Sequence, residues 1–231
     1  MPILAIDTST QWCSVALFLP NGHHIYRHEK VGNKASQVIL NWIQDLLLEA
    51  NCSFEDIDSI AVSQGPGGFT GIRLGMGVAQ GLAYAQNKPL IPIPSLDGMI
   101  AYQYAEDPNG FSTNKHYHVM IDARMSQIYQ ASYRFTSEGR IQRQGEITLM
   151  DLQDIQINTV DQYFCYDMDT YLASKDIDQT NFQISSATPH ALGIGHLASL
   201  ESNMTLFLPK DCQPLYVRDQ VALTIAQRAG A

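Results

Sequence analysis

The sequence predicts a mixed α/β fold in two lobes, and three observations carry the prediction. Short apolar runs rich in β-branched residues alternate with segments of helical period, in the order β-β-β-α-β-α-β-α, before a second set of strands begins. A polar, turn-rich stretch at 106–116 (EDPNGFSTNKH) separates the two sets and marks lobes of 1–105 and 106–231. The chain has 231 residues, enough for one large domain or two small lobes.

The elements follow in order. Residues 2–7 (PILAID) read as a buried strand, and 12–19 (WCSVALFL) as a second, too short for a typical helix. Thr8-Ser9-Thr10-Gln11 is a polar turn between them. Pro20-Asn21-Gly22 is a tight hairpin turn, and 24–30 alternate as a third strand. Ala35, Val38, Ile39, Trp42, Ile43, Leu46, Leu47 and Ala50 follow a helical stripe without a miss, with Asn51 as the stop. Leu40 and Leu48 lie off the stripe, which suggests burial on more than one side. Residues 57–63 read as a strand, 65–68 as a sharp turn, and 70–85 as a helix.

That second helix is unusual. Gly71, Gly75, Ala79 and Ala83 form one small-residue row, and Gly77, Gly81 and Ala85 a second. Each helical glycine costs about 1 kcal/mol relative to alanine. Close approach of another backbone is the natural compensation. A strand at 89–93 and a helix from Ser95 to Ala105 complete the first half. In the second half, 117–122, 127–135, 139–147 and 163–166 look like strands, and 188–201 like a helix.

Composition excludes several classes. Charged residues make up 16%, against a usual value of about 25%, and hydrophobic residues 45%. With 14 Lys+Arg against 23 Asp+Glu, the net charge is −9. An acidic chain is a poor stand-alone nucleic-acid binder, because phosphate contacts need basic side chains. The four cysteines, at 13, 52, 165 and 212, form no CxxC, so reduced thiols in the cytoplasm are expected. Asp7 interrupts the first apolar run, so no secretory signal is read, and no segment is long and apolar enough to span a membrane.

Three motifs carry possible chemistry. Asp7-Thr8-Ser9-Thr10 sets a carboxylate and three hydroxyls at a hairpin turn, which could hold a phosphate or its magnesium, or simply satisfy a tight turn. In Gly65-Pro66-Gly67-Gly68-Phe69-Thr70-Gly71, Gly67 and Gly68 precede a helix N-terminus that favours anions, though neither a Walker loop nor GxGxxG is present. Asp122-Ala123-Arg124 follows a strand, where a local ion pair is the commoner outcome. His116 and His118 share a strand face without a third ligand. No nucleophile elbow, HExxH or nucleophile–base pair is legible, and no metal site is read.

Together, Ile6–Thr10, QGPGGFTGIRLGMGVAQGLA (64–83), Asp122-Ala123-Arg124 and PLYVR (214–218) resemble the TsaB-type (YeaZ-like) family of bacterial tRNA threonylcarbamoyladenosine synthesis. The resemblance implies a two-lobed actin-like/Hsp70-like ATPase fold, with ribonuclease H-like lobes and a reduced second lobe. It implies a non-catalytic subunit that binds the TsaD-type catalytic enzyme, which carries a metal-binding H-x-x-x-H. No H-x-x-x-H is expected here from the spacings of histidines 23, 24, 28, 116, 118, 190 and 196, which fits a non-catalytic paralogue. It further implies a TsaE-type ATPase in the complex, indirect contact with tRNA, and a homodimer when the chain is alone. No cofactor is expected to bind tightly, with ATP or ADP at the assembled complex. Asp7, Thr8, Ser9, Thr10, Gly67 and Gly68 would be a degenerate phosphate loop. The family's partner surface lies on the first two helices, here Val38, Ile39, Trp42, Leu46, Gly71, Arg73, Gly75, Met76, Ala79 and Ala83. A stand-alone ATPase or phosphotransferase of the same fold is the alternative.

Overall fold

The strand Ile3–Asp7 (β1) is buried along its whole length, so both faces of its sheet must be covered. It pairs antiparallel with Trp12–Phe18 (β2), which pairs with His24–Lys30 (β3). On its other side β1 runs parallel to Ser59–Gly65 (β4), and β4 to Leu90–Pro94 (β5). The sheet order is therefore β3-β2-β1-β4-β5. The computed structural model describes residues 2–174, 182–200 and 205–218.

Two helices cover one face of this sheet. Ala35–Glu49 (α1) and Phe69–Ala85 (α2) bury Ile39, Ile43 and Leu46, and Met76, Ala79 and Ala83, against Leu4, Ile6, Val15, Leu17 and Val62. Both helices end in the same way. Asn51 and Asn87 take positive φ, and the next N–H groups, of Cys52 and Lys88, reach back to Leu47 and Ala83 at 2.9 and 2.8 Å. Asparagine tolerates this left-handed cap better than most residues with a side chain.

The second sheet repeats the strand order of the first. His116–Arg124 (β6) pairs antiparallel with Gln127–Phe135 (β7), and β7 with Ile141–Arg143 (β8). On the other side β6 runs parallel to Gln162–Tyr166 (β10), and β10 to Ile184–Ser186 (β11). Thr148–Asp151 (β9) pairs with β7 off this path. The helix Asp169–Ser174 (α4), between β10 and β11, is only six residues long.

The remaining two helices exchange sheets. Ser95–Glu106 (α3) follows the first sheet yet packs Leu96, Met99 and Ile100 on Val119, Ile121 and Tyr133 of the second. Ala191–Leu200 (α5) follows the second sheet yet packs Ala191, Leu192 and Ile194 on Ile3, Ala5, Ala16 and Ile93 of the first. They cross through glycine: a Cβ on Gly193 would overlap the Gly98 carbonyl. The stretch 106–116 thus divides the two sheets but not the layers upon them. The segment 205–218 then returns to the first lobe. Phe207 bridges Leu90, Cys212 joins the core beneath α2, and the Leu215 N–H donates to the Gln64 carbonyl at 2.7 Å.

The structure corrects several element boundaries. The strand expected at 139–147 is only Ile141–Arg143, followed by the separate β9. Strand β11 and helix α4 carry no legible period because they are three and six residues long. The helix expected at 188–201 is described over Ala191–Leu200; residue 201 and residues 219–231 of the expected second lobe lie outside the described residues.

An aromatic stack locks α5 in place. Trp12, His28, His190 and Tyr102 lie ring on ring, with centroids 4.4, 4.0 and 4.3 Å apart. His190 caps α5, its Nδ1 accepting the Leu192 N–H at 3.0 Å. Burial pushes His190 down to about 3 and His28 to about 4. The fold therefore holds both rings neutral. Their contribution is complete above about pH 6.5 and is lost as the pH falls toward these values. A proton on His190 would also face the positive end of the helix. The melting temperature should fall steadily from pH 6.5 to pH 4, and His190→Asn, a cap that cannot charge, should flatten that slope.

Candidate functional site

The carboxyl ends of β1, β4, β6 and β10 open on one cleft of about 830 Å³. Such edges are where open α/β sheets bind ligands. One wall holds Thr8 to Gln11, Gly32, Asn33 and Pro66 to Ile72. The other holds Ile121 to Arg124, Tyr166, Asp167 and residues 215–218.

Asp7 does not reach this cleft. It is 2% exposed, and its Oδ1 accepts from the Ser9 N–H at 2.8 Å and the Ser9 hydroxyl at 2.7 Å. Burial pushes the carboxyl up to about 6, while the Ser9 hydrogen bonds and the nearby Ser63 hydroxyl pull it down. Oδ2 is buried without a bonded partner among the described residues; Ser63 is engaged by Ser95 at 2.7 Å. The aspartate therefore builds the turn from below.

The turn in turn seats α2. The Gly68 N–H donates to the Ser9 carbonyl at 2.6 Å, and the Thr8 hydroxyl to the Gly71 carbonyl at 2.7 Å. A Cβ on Gly67 would overlap the Ser9 carbonyl, and one on Gly71 the Thr8 carbonyl. Thr8, Ser9, Thr10, Gly67 and Gly68 are thus brought together in one cleft wall, with Thr10 also accepting the Trp12 N–H at 3.3 Å. The wall has the room of a nucleotide site. Its phosphate chemistry is thin, because one N–H at the α2 N-terminus is already spent on Ser9.

The opposite wall repeats the device. The Arg124 N–H donates to Asp122 Oδ1 at 2.8 Å, as Ser9 does to Asp7. The Arg124 guanidinium then bridges Asp122 and Asp167 at 2.8 and 3.1 Å. Arg124, Met125 and Ser126 all take positive φ in this hairpin tip, a costly conformation for residues with side chains. Arg218 holds the tip, donating to the Ala123 carbonyl at 3.0 Å. Beside it, the Arg73 guanidinium lies 3.8 Å from the Phe69 ring centroid and donates to the Tyr216 hydroxyl at 2.9 Å. Leu215, Tyr216 and Arg218 are site residues whose only trace in the sequence is the PLYVR motif.

The residues expected at a partner surface divide into two sets. Ile39, Leu46, Gly75, Met76, Ala79 and Ala83 are buried against the sheet, and Gly71 is seated on the hairpin. They build the helices' inner faces and are not available to a partner. The close backbone approach read from the Gly71–Ala83 row is intramolecular, since a Cβ on Gly75 would meet Thr8 Oγ1. Val38 and Trp42 are half-buried, and Arg73 is exposed. The open row is the second one: a Cβ on Gly77 or Gly81 meets nothing within 4 Å. Leu48 and Tyr84 stand 70% and 82% exposed on the same helices, and Leu40 is exposed too. The two off-stripe leucines are thus uncovered within the chain rather than buried on a second side.

H-x-x-x-H spacing does occur once, at His24 to His28, contrary to the expectation above. It falls on strand β3, where four residues span about 13 Å. His28 stacks between Trp12 and His190, while His24 meets Phe18 and His196. Among the described residues no group of His, Cys, Asp or Glu could hold a metal ion, and no helix is long and apolar enough to cross a membrane.

Comparison with known proteins places this architecture. A family model described as TsaD, tRNA N6-adenosine threonylcarbamoyltransferase, matches residues 29–150. The tRNA threonylcarbamoyladenosine biosynthesis protein TsaB of Escherichia coli K12 is 41% identical over 140 residues, 60% of this chain and 58% of its own length. YeaZ from Pseudomonas aeruginosa superposes with a TM-score of 0.77 at 28% identity, covering 93% of this chain and 99% of that one. The chain belongs to the TsaB (YeaZ-like) family. Its fold is the two-lobed actin-like fold of that family. The TsaB of Haemophilus influenzae is 37% identical over 131 residues, 52% of its length. In sequence the chain thus spans a little over half the length of the curated relatives it matches. A tRNA N6-adenosine threonylcarbamoyltransferase of Staphylococcus aureus MSSA476 is 35% identical over 126 residues, 37% of its length.

The two glycine rows should respond oppositely to alanine. Gly71→Ala should cost about 2–3 kcal/mol, because the hairpin backbone must move. Gly77→Ala and Gly81→Ala should each stabilise by up to about 1 kcal/mol, as helix propensity predicts where space is open. Denaturant midpoints of the isolated protein measure both.

Proposed function

We propose that this chain is a non-catalytic subunit in tRNA threonylcarbamoyladenosine synthesis, which binds and activates a TsaD-type transferase through the outer faces of α1 and α2. The observation that carries the reading is the open glycine row Gly77–Gly81 of α2, with exposed Tyr84 on the same helix and exposed Leu40 and Leu48 on α1. Glycines that cost helix stability and touch nothing within the chain make sense against a second backbone. The match of residues 29–150 to the TsaD model supports a partner of the same fold. The acidic charge leaves tRNA to other components, and a TsaE-type ATPase would complete the assembly. The same face would pair two copies when the chain is alone. Asp7 is spent on the turn and the α2 N-terminus on Ser9, so any ATP or ADP would belong to the assembled complex.

Calorimetry with a TsaD-type enzyme tests this reading, beside an ATPase assay of the chain alone. Tight binding without stand-alone turnover is expected. Gly81→Trp should abolish binding while the melting temperature holds, and Asp7→Asn should leave binding intact. Unchanged binding by folded Gly81→Trp would remove the interface. Magnesium-dependent ATP turnover without binding would favour the stand-alone ATPase.

A further inference from the structure

The second sheet carries a polar cluster on its face away from α3. Its place is toward the start of β6, about three residues or 10 Å along the strand from the cleft wall. His118 of β6 and Ser132 of β7 are direct cross-strand partners. His118 Nδ1 stands 2.9 Å from Ser132 Oγ, and its Nε2 stands 3.2 Å from Asp161 Oδ2. Four further contacts fix the arrangement. The Asn158 amide donates to the same Asp161 oxygen at 2.6 Å. Asn158 Oδ1 accepts the N–H groups of Val160 and Asp161, which shapes the loop. The His118 ring lies on Tyr163, with centroids 4.9 Å apart and planes 17° apart.

Chemistry assigns the protons. A carboxylate only accepts, so His118 Nε2 carries the hydrogen that Asp161 receives. In the neutral ring Nδ1 is then an acceptor, and the group that faces it is the Ser132 hydroxyl. Burial holds His118 below its ordinary value, so the ring is free to take a proton at pH 7. Although burial works against it, hydrogen bonds from Asn158 and His118 hold Asp161 low, and it stays ionised. Nucleophile, base and orienting carboxylate are all in bonding reach, which is the arrangement of acyl transfer by serine. The side chains of His118 and Asp161 are each 15% exposed, and Ser132 is half-buried, so the site touches solvent.

We propose that Ser132, His118 and Asp161 form a second site on this protein, one that cleaves small carboxylic esters through an acyl-serine. Ser132 Oγ attacks the ester carbonyl carbon while its proton passes to His118 Nδ1. The carbon–oxygen bond to the alcohol breaks, and the departing alkoxide takes that proton from His118. Water then attacks the acyl-serine with His118 again as base, and releases the carboxylic acid and the serine hydroxyl. Arg134, exposed two residues along the same face of β7 and donating to His116 Nε2 at 2.6 Å, offers a cation to the oxyanion that develops. No nucleophile elbow marks this serine, because its partners come from another strand and a loop 29 positions downstream of it.

The test uses the whole chain with p-nitrophenyl acetate and, separately, a fluorophosphonate probe. A burst of p-nitrophenolate is expected, with the phosphonate on the peptide that holds Ser132. Ser132→Ala and His118→Gln should each lower the rate and the labelling by at least about 100-fold. Ser132→Cys should keep the burst, which separates a lost nucleophile from a lost fold. The rate should fall on acidification only below about pH 6.5, as His118 gains its proton. A wild-type protein that takes no label, or a label that survives Ser132→Ala, overturns the proposal. Binding to a TsaD-type enzyme should be unchanged in Ser132→Ala, so this test and that of the partner reading fail independently.

Discussion

Backbone laid directly on backbone sets the geometry of this molecule. At Gly67 and Gly71 the first turn of α2 rests on the carbonyls of the β1–β2 hairpin, with no side chain between them. That seat fixes the height of α2 over the sheet. It thereby decides which helix positions face Leu4, Ile6 and Val62 and which remain outside. The open row at Gly77 and Gly81 exists because the row at Gly71 and Gly75 is used inside. The same seat closes part of the helix N-terminus that a phosphate would otherwise meet.

The two lobes solve one structural problem twice. Each begins with an antiparallel hairpin whose first strand supplies an aspartate that accepts the N–H two residues on. In the first lobe the aspartate is sealed, and serine completes its shell. In the second it stays near solvent and engages an arginine that also binds Asp167. One motif therefore gives a sealed turn on one wall of the cleft and an exposed, strained one on the other. Arg218 spans this asymmetry by bringing the last described segment against the strained tip.

Much of this was legible in the residues. The stripe of α1 and the run of β1 require burial by period and composition alone, and Asn51 ends α1 as expected. The small residues of α2 signalled a close approach, but not which approach. Only the fold distinguishes Gly75, which meets Thr8, from Gly77, which meets nothing. The exchange of α3 and α5 was not legible, because an apolar helix carries no mark of the sheet it will choose. The short β9, β11 and α4 lack the length to show a period. Ser132 and Asp161 gave no signal, since a cross-strand pair and a loop carboxylate are neighbours in space and not in sequence. The motif 214–218 was visible as a pattern, yet its position across the cleft depends on the return path through Leu90 and Gln64.

The exchange of helices has a consequence for synthesis on the ribosome. The rear face of the first sheet, with Ile3, Ala5 and Ala16, is covered by α5, which lies almost two hundred residues later. The first five strands can pair as they emerge, but their apolar rear stays wet until α5 arrives. Contacts of such sequence separation slow the search for the native state. Exposed strands of this kind are prone to associate with other chains while they wait. The N-terminal half should therefore be a client for holding factors during translation, and its completion a late event shared with the second lobe.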